Sequence, residues 1–193
     1  ANPANLYGAT KLCAEKLIVS GNAYSGGATK LGAVRYGNVF GSRGSIVEVI
    51  KQQKSAGQVT LTHPDMTRFW ITLDQGIDLV LMALEKMFGG EIFIPQIPSM
   101  RLQDFITVMA PECEVKVIGI RPGEKLHETL ITTEEARRTK QLANHYVILP
   151  DSKDWQGHAN YQEHPLVPNE FTFASNNNTQ WLTPEELQVL IDS

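Results

Sequence analysis

Clustered positive charge is missing from this 193-residue sequence: 17 Lys and Arg are outnumbered by 21 Asp and Glu, the net charge is −4, and no Lys/Arg block occurs. Binding to a nucleic-acid backbone draws on such clusters, so a nucleic-acid partner is not expected. Cysteine is scarce as well. Cys13 and Cys113 stand far apart with no C-x-x-C, which provides neither a metal knuckle nor a disulfide framework and fits a reducing, cytoplasmic setting. The five histidines share no metal-ligand spacing, and His127-Glu128 lacks a second His in register, so no metal is expected. No apolar run reaches the roughly 18 residues of a membrane span. Neither repeats nor low-complexity tracts occur.

What remains is an ordinary globular composition, 42% hydrophobic, enough for one sizeable domain or parts of two. Its most telling segment is Asn5-Leu6-Tyr7-Gly8-Ala9-Thr10-Lys11. Four positions apart on a helix, the Tyr7 hydroxyl and the Lys11 ammonium lie one turn apart on the same face. A neighbouring cation favours the phenolate, so the pair can act as an acid/base group beside a dinucleotide. Alone, the spacing more often marks a solvated pair on an amphipathic surface. A dinucleotide site needs a strand, a Gly-rich turn and a helix, together roughly 30 residues. Only six residues precede Tyr7, no G-x-G-x-x-G occurs, and the first residue is Ala. The expectation is the C-terminal part of a longer enzyme.

Periodicity organises the rest. Residues 4–20 read as a helix with Leu6, Ala9, Cys13 and Leu17 as its apolar stripe. Leu31 to Tyr36 reads as a strand leading into a Gly-spaced loop, after which Ser45 caps a helix to about Ala56. Thr72-x-x-Gln75 forms a capping box before a helix with Ile77, Val80, Leu81, Leu84 and Phe88 on its apolar face. Strands over Glu91–Pro95 and Glu114–Ile118 flank a helix over Leu102–Ala110, and Tyr146–Pro150 is apolar. Residues 151–180 look loop-rich; Thr183, Pro184 and Glu186 then box a terminal helix, with Leu182 stapled to Leu187. This alternation predicts an α/β fold with a parallel or mixed sheet.

Three further segments could carry chemistry. Ala33 to Ser45 leaves a strand through three glycines and delivers Asn38 to a helix N-terminus, a place suited to an anion or simply a Gly-rich turn. Arg68, between Thr67 and Phe69-Trp70, needs a partner for its charge, either an internal carboxylate or a ligand phosphate. Arg121-Pro122-Gly123-Glu124 couples a rigid turn to an Arg and a Glu three positions apart, able to grip a phosphate and a ribose hydroxyl or to form a surface ion pair.

As a set in this order, residues 2–11, Arg35 to Ser45, Thr67 to Thr72 and Arg121 to Glu128 resemble the extended short-chain dehydrogenases/reductases. Within them the match is similar to the inverting UDP-N-acetylglucosamine 4,6-dehydratases of pseudaminic acid biosynthesis. The resemblance implies a Rossmann-type fold. Residues 1–57 would be the C-terminal part of the Rossmann-type domain with its catalytic helix, and 58–193 mostly a smaller substrate-binding region, with 74–95 returning to the Rossmann sheet. It implies tightly held NADP, with NAD left open, and UDP-N-acetylglucosamine as substrate. In such enzymes the sugar is oxidised at C4 while Tyr7 accepts the O4 proton and Lys11 holds the nicotinamide ribose. The C5 proton and the C6 hydroxyl then leave as water, the hydride returns to C6, and C5 is reprotonated from the opposite face.

By the same resemblance Tyr36 and Gly37 line the nicotinamide side, Asn38 meets the diphosphate, and Ile46 and Val47 border the sugar nucleotide. Arg68 serves the phosphate region, and Arg121 with Glu124 the diphosphate and uridine ribose. Ser175-Asn176-Asn177-Asn178 is a family feature without an assigned role. The helix bearing Tyr7 packs against its twin in such enzymes, which implies a homo-oligomer. The family's Thr-Asp-Lys acid/base segment and its phosphate-cradling turn are not found in these 193 residues, so the stretch by itself is expected to be inactive. Two alternatives stay open: the capsule-pathway relative that dehydrates and epimerises the same substrate, and a non-catalytic nucleotide-sugar-binding fragment.

Overall fold

A computed structural model describes residues 1–42, 44–152 and 154–192. In chain order the elements are α1 (Leu6–Gly21), β1 (Ala33–Val34), β2 (Asn38–Val39), α2 (Ile46–Lys54), β3 (Gln58–Leu61) and β4 (Thr67–Ile71). There follow α3 (Leu73–Lys86), β5 (Ile92–Pro95), β6 (Ser99–Arg101), α4 (Leu102–Met109), β7 (Glu114–Val117) and β8 (Thr129–Ile131). The chain ends with α5 (Thr133–Ala136), β9 (Thr139–Gln141), β10 (His145–Ile148), a 3-10 turn at Gln156–Tyr161, β11 (Phe173–Ala174) and α6 (Pro184–Asp192). The chain divides into two compact units, one made of 1–36, 74–96 and 129–173, the other of 37–73, 97–128 and 174–193. Residues 37–57 thus lie in the second unit and 129–173 in the first.

The first unit is built on a mixed sheet of order β1-β5-β10-β9, in which β1 runs parallel to β5 and β10 antiparallel to both neighbours. Strand β5, Ile-Phe-Ile, is apolar on both faces because it is central. Leu79, Ala83, Phe93, Val147, Leu149 and Tyr161 form the core beside it. The loop-rich stretch closes over this core: Trp155 stacks on Tyr161 and its Nε1 donates to the Gly89 carbonyl at 2.7 Å. Glu91, wholly buried, accepts the Phe88 and Gly89 amides beyond the end of α3, which satisfies its charge locally.

Two expected helix faces are corrected here. Leu6 and Leu17 are 80% and 68% exposed and Cys13 is exposed, whereas the inward row of α1 is Gly8, Leu12, Glu15, Val19 and Asn22. On α3 the buried positions are Gly76, Leu79 and Ala83, and Ile77, Val80, Leu81, Leu84 and Phe88 are exposed. In both helices the inward row mixes small or polar residues with a few apolar ones, so a rule that turns the more apolar face inward selects the wrong side.

The second unit has a three-stranded sheet of order β2-β4-β6 and a parallel pair, β3-β7. Its core joins Val47, Ile50, Val59, Leu61, Trp70, Phe105, Ile106 and Leu187. Trp70 lies between Phe40 and Phe105, with ring centroids 5.3 and 5.1 Å away. The terminal helix begins as its pattern predicts: Thr183 and Glu186 exchange backbone-to-side-chain hydrogen bonds of 2.8 and 3.2 Å. Ser45 precedes α2, but its hydroxyl makes no capping bond and is buried without a partner among the described residues.

Candidate active site

Helix α1 starts where it does because Asn5, in extended conformation, accepts the Gly8 amide at 2.8 Å. Tyr7 therefore sits in the first turn, 73% exposed, and the Lys11 ammonium lies 5.2 Å from its ring centroid. The one-turn spacing brings the pair together. Among the described residues neither the Tyr7 hydroxyl nor the Lys11 ammonium has a hydrogen-bonding or ion-pair partner, so both are free for a ligand. An exposed phenol beside an unpaired ammonium fits the proton-transfer and ribose-holding groups that a nicotinamide cofactor requires.

One turn past Lys11, Glu15 leads to a network that the sequence reading missed. Arg35 donates Nε and Nη2 to Glu15 at 2.6 and 2.7 Å, and Nη1 and Nη2 to Glu135 at 2.8 and 2.6 Å. Its Nη1 also donates to the Leu130 carbonyl at 2.7 Å. Burial opposes the charges, yet the hydrogen bonds and mutual attraction outweigh it. Glu15 is held below the ordinary carboxylate range, Glu135 is held at about 2, and Arg35 is raised above the usual guanidinium value. The sequence signal was available only as Glu15 continuing the Tyr7-Lys11 spacing; its partners are 20 and 100 positions from Arg35. Tyr36, next along the chain, is partly exposed.

In the second unit Gly37 passes close to β4, where an added Cβ would stand 2.5 Å from both Cβ and O of Phe69. Asn38, exposed, pairs in register with Trp70. Ile46 is half-buried, and the Val47 side chain, 4% exposed, belongs to the core of the second unit. Arg121-Pro122-Gly123-Glu124 forms the turn its Pro and Gly specify: Gly123 has φ 75° and the Glu124 amide donates to the Arg121 carbonyl at 3.0 Å. Glu124 returns a carboxylate oxygen to the Arg121 amide at 3.2 Å, and the Arg121 side chain is exposed.

Arg68 is directed at the segment that follows. Nη1 donates to the Thr67 and Leu126 carbonyls at 2.7 and 3.1 Å, Nη2 to the Lys125 carbonyl at 2.9 Å, and Nε lies 3.9 Å from Glu128. Burial lowers its pKa, with Glu128 and Glu124 acting the other way. Ser175, fully buried, locks the same segment: its hydroxyl lies 2.7 Å from that of Thr67 and accepts the Glu128 amide at 2.9 Å. Thr67 Oγ1 is also 2.8 Å from His127 Nδ1. Asn178 donates to the Ile97 carbonyl and to Ser99 Oγ at 2.8 and 3.0 Å. The Ser-Asn-Asn-Asn stretch therefore braces the backbone around β4 and β6.

A family model described as polysaccharide biosynthesis protein matches residues 1–150. The chain belongs to this family. Its fold is that of the extended short-chain dehydrogenases/reductases. A Campylobacter jejuni family relative named UDP-N-acetylglucosamine 4,6-dehydratase (inverting) is 44% identical over 99% of this chain. The chain spans 60% of that relative's length. The X-ray structure of Pen from Bacillus thuringiensis shares 34% identity and superposes with a TM-score of 0.83 over 98% of this chain and 58% of Pen. TunA, described as an NAD-dependent NDP-hexosamine 5,6-dehydratase of tunicamycin biosynthesis, has the same fold at 15% identity and a TM-score of 0.55, covering 96% of this chain and 52% of its own. No helix among the described residues is long and apolar enough to cross a membrane.

Proposed function

We propose that this chain supplies the C4-oxidising and nucleotide-holding residues of an inverting UDP-N-acetylglucosamine 4,6-dehydratase, a hydro-lyase acting at the entry to pseudaminic acid biosynthesis. The observation that carries the reading is the Tyr7-Lys11 pair, exposed, unpartnered and one turn apart, in a chain 44% identical to an enzyme of that name. A nicotinamide cofactor, NADP in this reading, would supply the acceptor and later donor of the C4 hydride. Tyr7 takes the proton of the sugar O4 during oxidation, with Lys11 holding the cofactor ribose. Tyr36 and Gly37 line that side. Asn38, with Ile46 and the backbone at Val47, borders the sugar diphosphate, while Arg121 and Glu124 hold the diphosphate and ribose.

Arg68 serves the phosphate region by fixing the Lys125–Glu128 backbone that follows the Arg121 turn. Once C4 is a ketone the C5 proton is acidified, and its loss with the C6 hydroxyl completes dehydration; no residue of these 193 is assigned to that acid/base step. The exposed row of Leu6, Cys13 and Leu17 on α1 supports a homo-oligomer formed through this helix. A nucleotide-sugar substrate and two free cysteines suit a cytoplasmic enzyme.

The deciding experiment incubates the complete enzyme with UDP-N-acetylglucosamine and NADP and identifies the product by NMR. A 4-keto-6-deoxy sugar inverted at C5 is expected. Tight UDP-N-acetylglucosamine binding without any keto sugar would overturn the assignment in favour of a binding protein, and a keto sugar that keeps its C6 hydroxyl, formed with stoichiometric NADPH, would overturn it in favour of a simple oxidoreductase.

A further inference from the structure

The inward row of α1 holds only two apolar side chains, Leu12 and Val19, and the helix buries none of its residues completely. Apolar packing therefore does little to set the rotation of the helix about its axis. Polar contacts hold it at two levels. At the C-terminal end the Asn22 side chain clasps the backbone of Leu31, donating to its carbonyl at 2.8 Å and accepting its amide at 3.0 Å. In the middle, Glu15 receives two nitrogens of Arg35. Arg35 is itself immobilised, by Glu135 and the Leu130 carbonyl on its far side and by its own amide, which donates to Phe93 in the sheet at 2.9 Å. Glu15 lies one turn beyond Lys11 and two beyond Tyr7.

We infer that Glu15, through its fork with Arg35, is a positioning residue that fixes the rotation of α1 and hence the aim of Tyr7 and Lys11; the inference rests on the role proposed for that pair. A planar guanidinium that meets one carboxylate with two nitrogens defines both distance and angle, which a single ammonium does not. Because Arg35 is buried and anchored on its far side, the fork transmits the position of the sheet to a helix that has little apolar grip of its own.

Glu15→Gln in the complete enzyme keeps the side chain's shape and removes its charge. The expected loss in kcat is roughly 10- to 100-fold, the scale of an ångström-sized misplacement of a catalytic group. UDP affinity should stay unchanged. Amide hydrogen exchange should rise across residues 6–21 and not elsewhere, and the isotope effect from sugar deuterated at C4 should grow as hydride departure slows relative to product release. A merely structural Glu15 would instead lower the melting temperature while the folded fraction kept wild-type kcat and isotope effect, and that result overturns the inference. Should Glu15→Gln not fold, Glu15→Asp, which keeps the charge and shortens the reach, is read by the same measurements. A wild-type enzyme that forms no keto sugar sinks the dehydratase assignment itself, a different outcome from an active wild type matched by its variant.

Discussion

Gly37 and Phe69 approach so closely that no side chain fits between them: a Cβ on Gly37 would lie 2.5 Å from the Phe69 carbonyl oxygen and 2.5 Å from its Cβ. Phe69 is fully buried in β4 and cannot retreat. Gly37→Ala is therefore expected to destabilise the second unit by about 1–3 kcal/mol, the usual cost of overpacking a filled site. Urea unfolding followed by tryptophan fluorescence measures it, since Trp70 sits one residue along the same strand; a variant as stable as wild type would show that β2 and β4 can part.

Acid should loosen the Arg35 network. Glu135 is held at about 2 and Glu15 is also lowered, both from a reference of 4.5, so the unfolded chain binds their protons more readily than the folded one. Their contribution to stability is thus complete above about pH 4.5 and is lost as the pH falls toward 2. For Glu135 the shift corresponds to something on the order of 3 kcal/mol. Glu135→Gln removes one titrating group, and its stability should fall less steeply between pH 4.5 and 2 than that of wild type. Equal slopes in denaturant titrations at several pH values would contradict the assignment.

The buried Ser175 hydroxyl meets the Thr67 hydroxyl, the Thr67 carbonyl and the Glu128 amide, so Ser175→Ala strands that amide and removes the contacts to Thr67. A loss of roughly 1–3 kcal/mol is expected, the cost of leaving a buried polar group unsatisfied. Ser175→Thr keeps the hydroxyl but adds a methyl to a site with no exposure, and differential scanning calorimetry should place both variants below wild type.

The proposed roles of Tyr7 and Arg121 separate in kinetics. Tyr7→Phe keeps the ring beside Lys11 and removes the proton acceptor, so turnover should fall by at least about 10²-fold while UDP binding is retained. Arg121→Ala should chiefly weaken UDP binding, because its exposed side chain is free to meet the diphosphate. Titration calorimetry with UDP tests both; turnover surviving in Tyr7→Phe, or unchanged affinity in Arg121→Ala, would remove the corresponding residue from the site.

Much of the local structure was legible in the residues. The Thr183–Glu186 box, the all-apolar β5, the helix of Leu102–Met109 and the turn at Arg121–Glu124 follow from capping chemistry, burial pattern and the left-handed freedom of Gly123. The short strands at Thr67–Ile71, Ser99–Arg101 and Thr139–Gln141 were not, because their pairing partners lie far away in sequence and their composition is mixed.

By itself the sequence determined that Tyr7 and Lys11 share a helix face, because helical geometry fixes a four-residue spacing wherever the helix packs. Tertiary structure alone decided which side of α1 turns inward. Apolarity favours the row of Leu6, Cys13 and Leu17, but the row that meets the sheet contains Glu15 and Asn22, whose hydrogen bonds need Arg35 and Leu31 to be in place. A charge can replace a hydrocarbon as a helix's anchor only when folding brings its partners within hydrogen-bonding reach, and that encounter is not written in any local pattern.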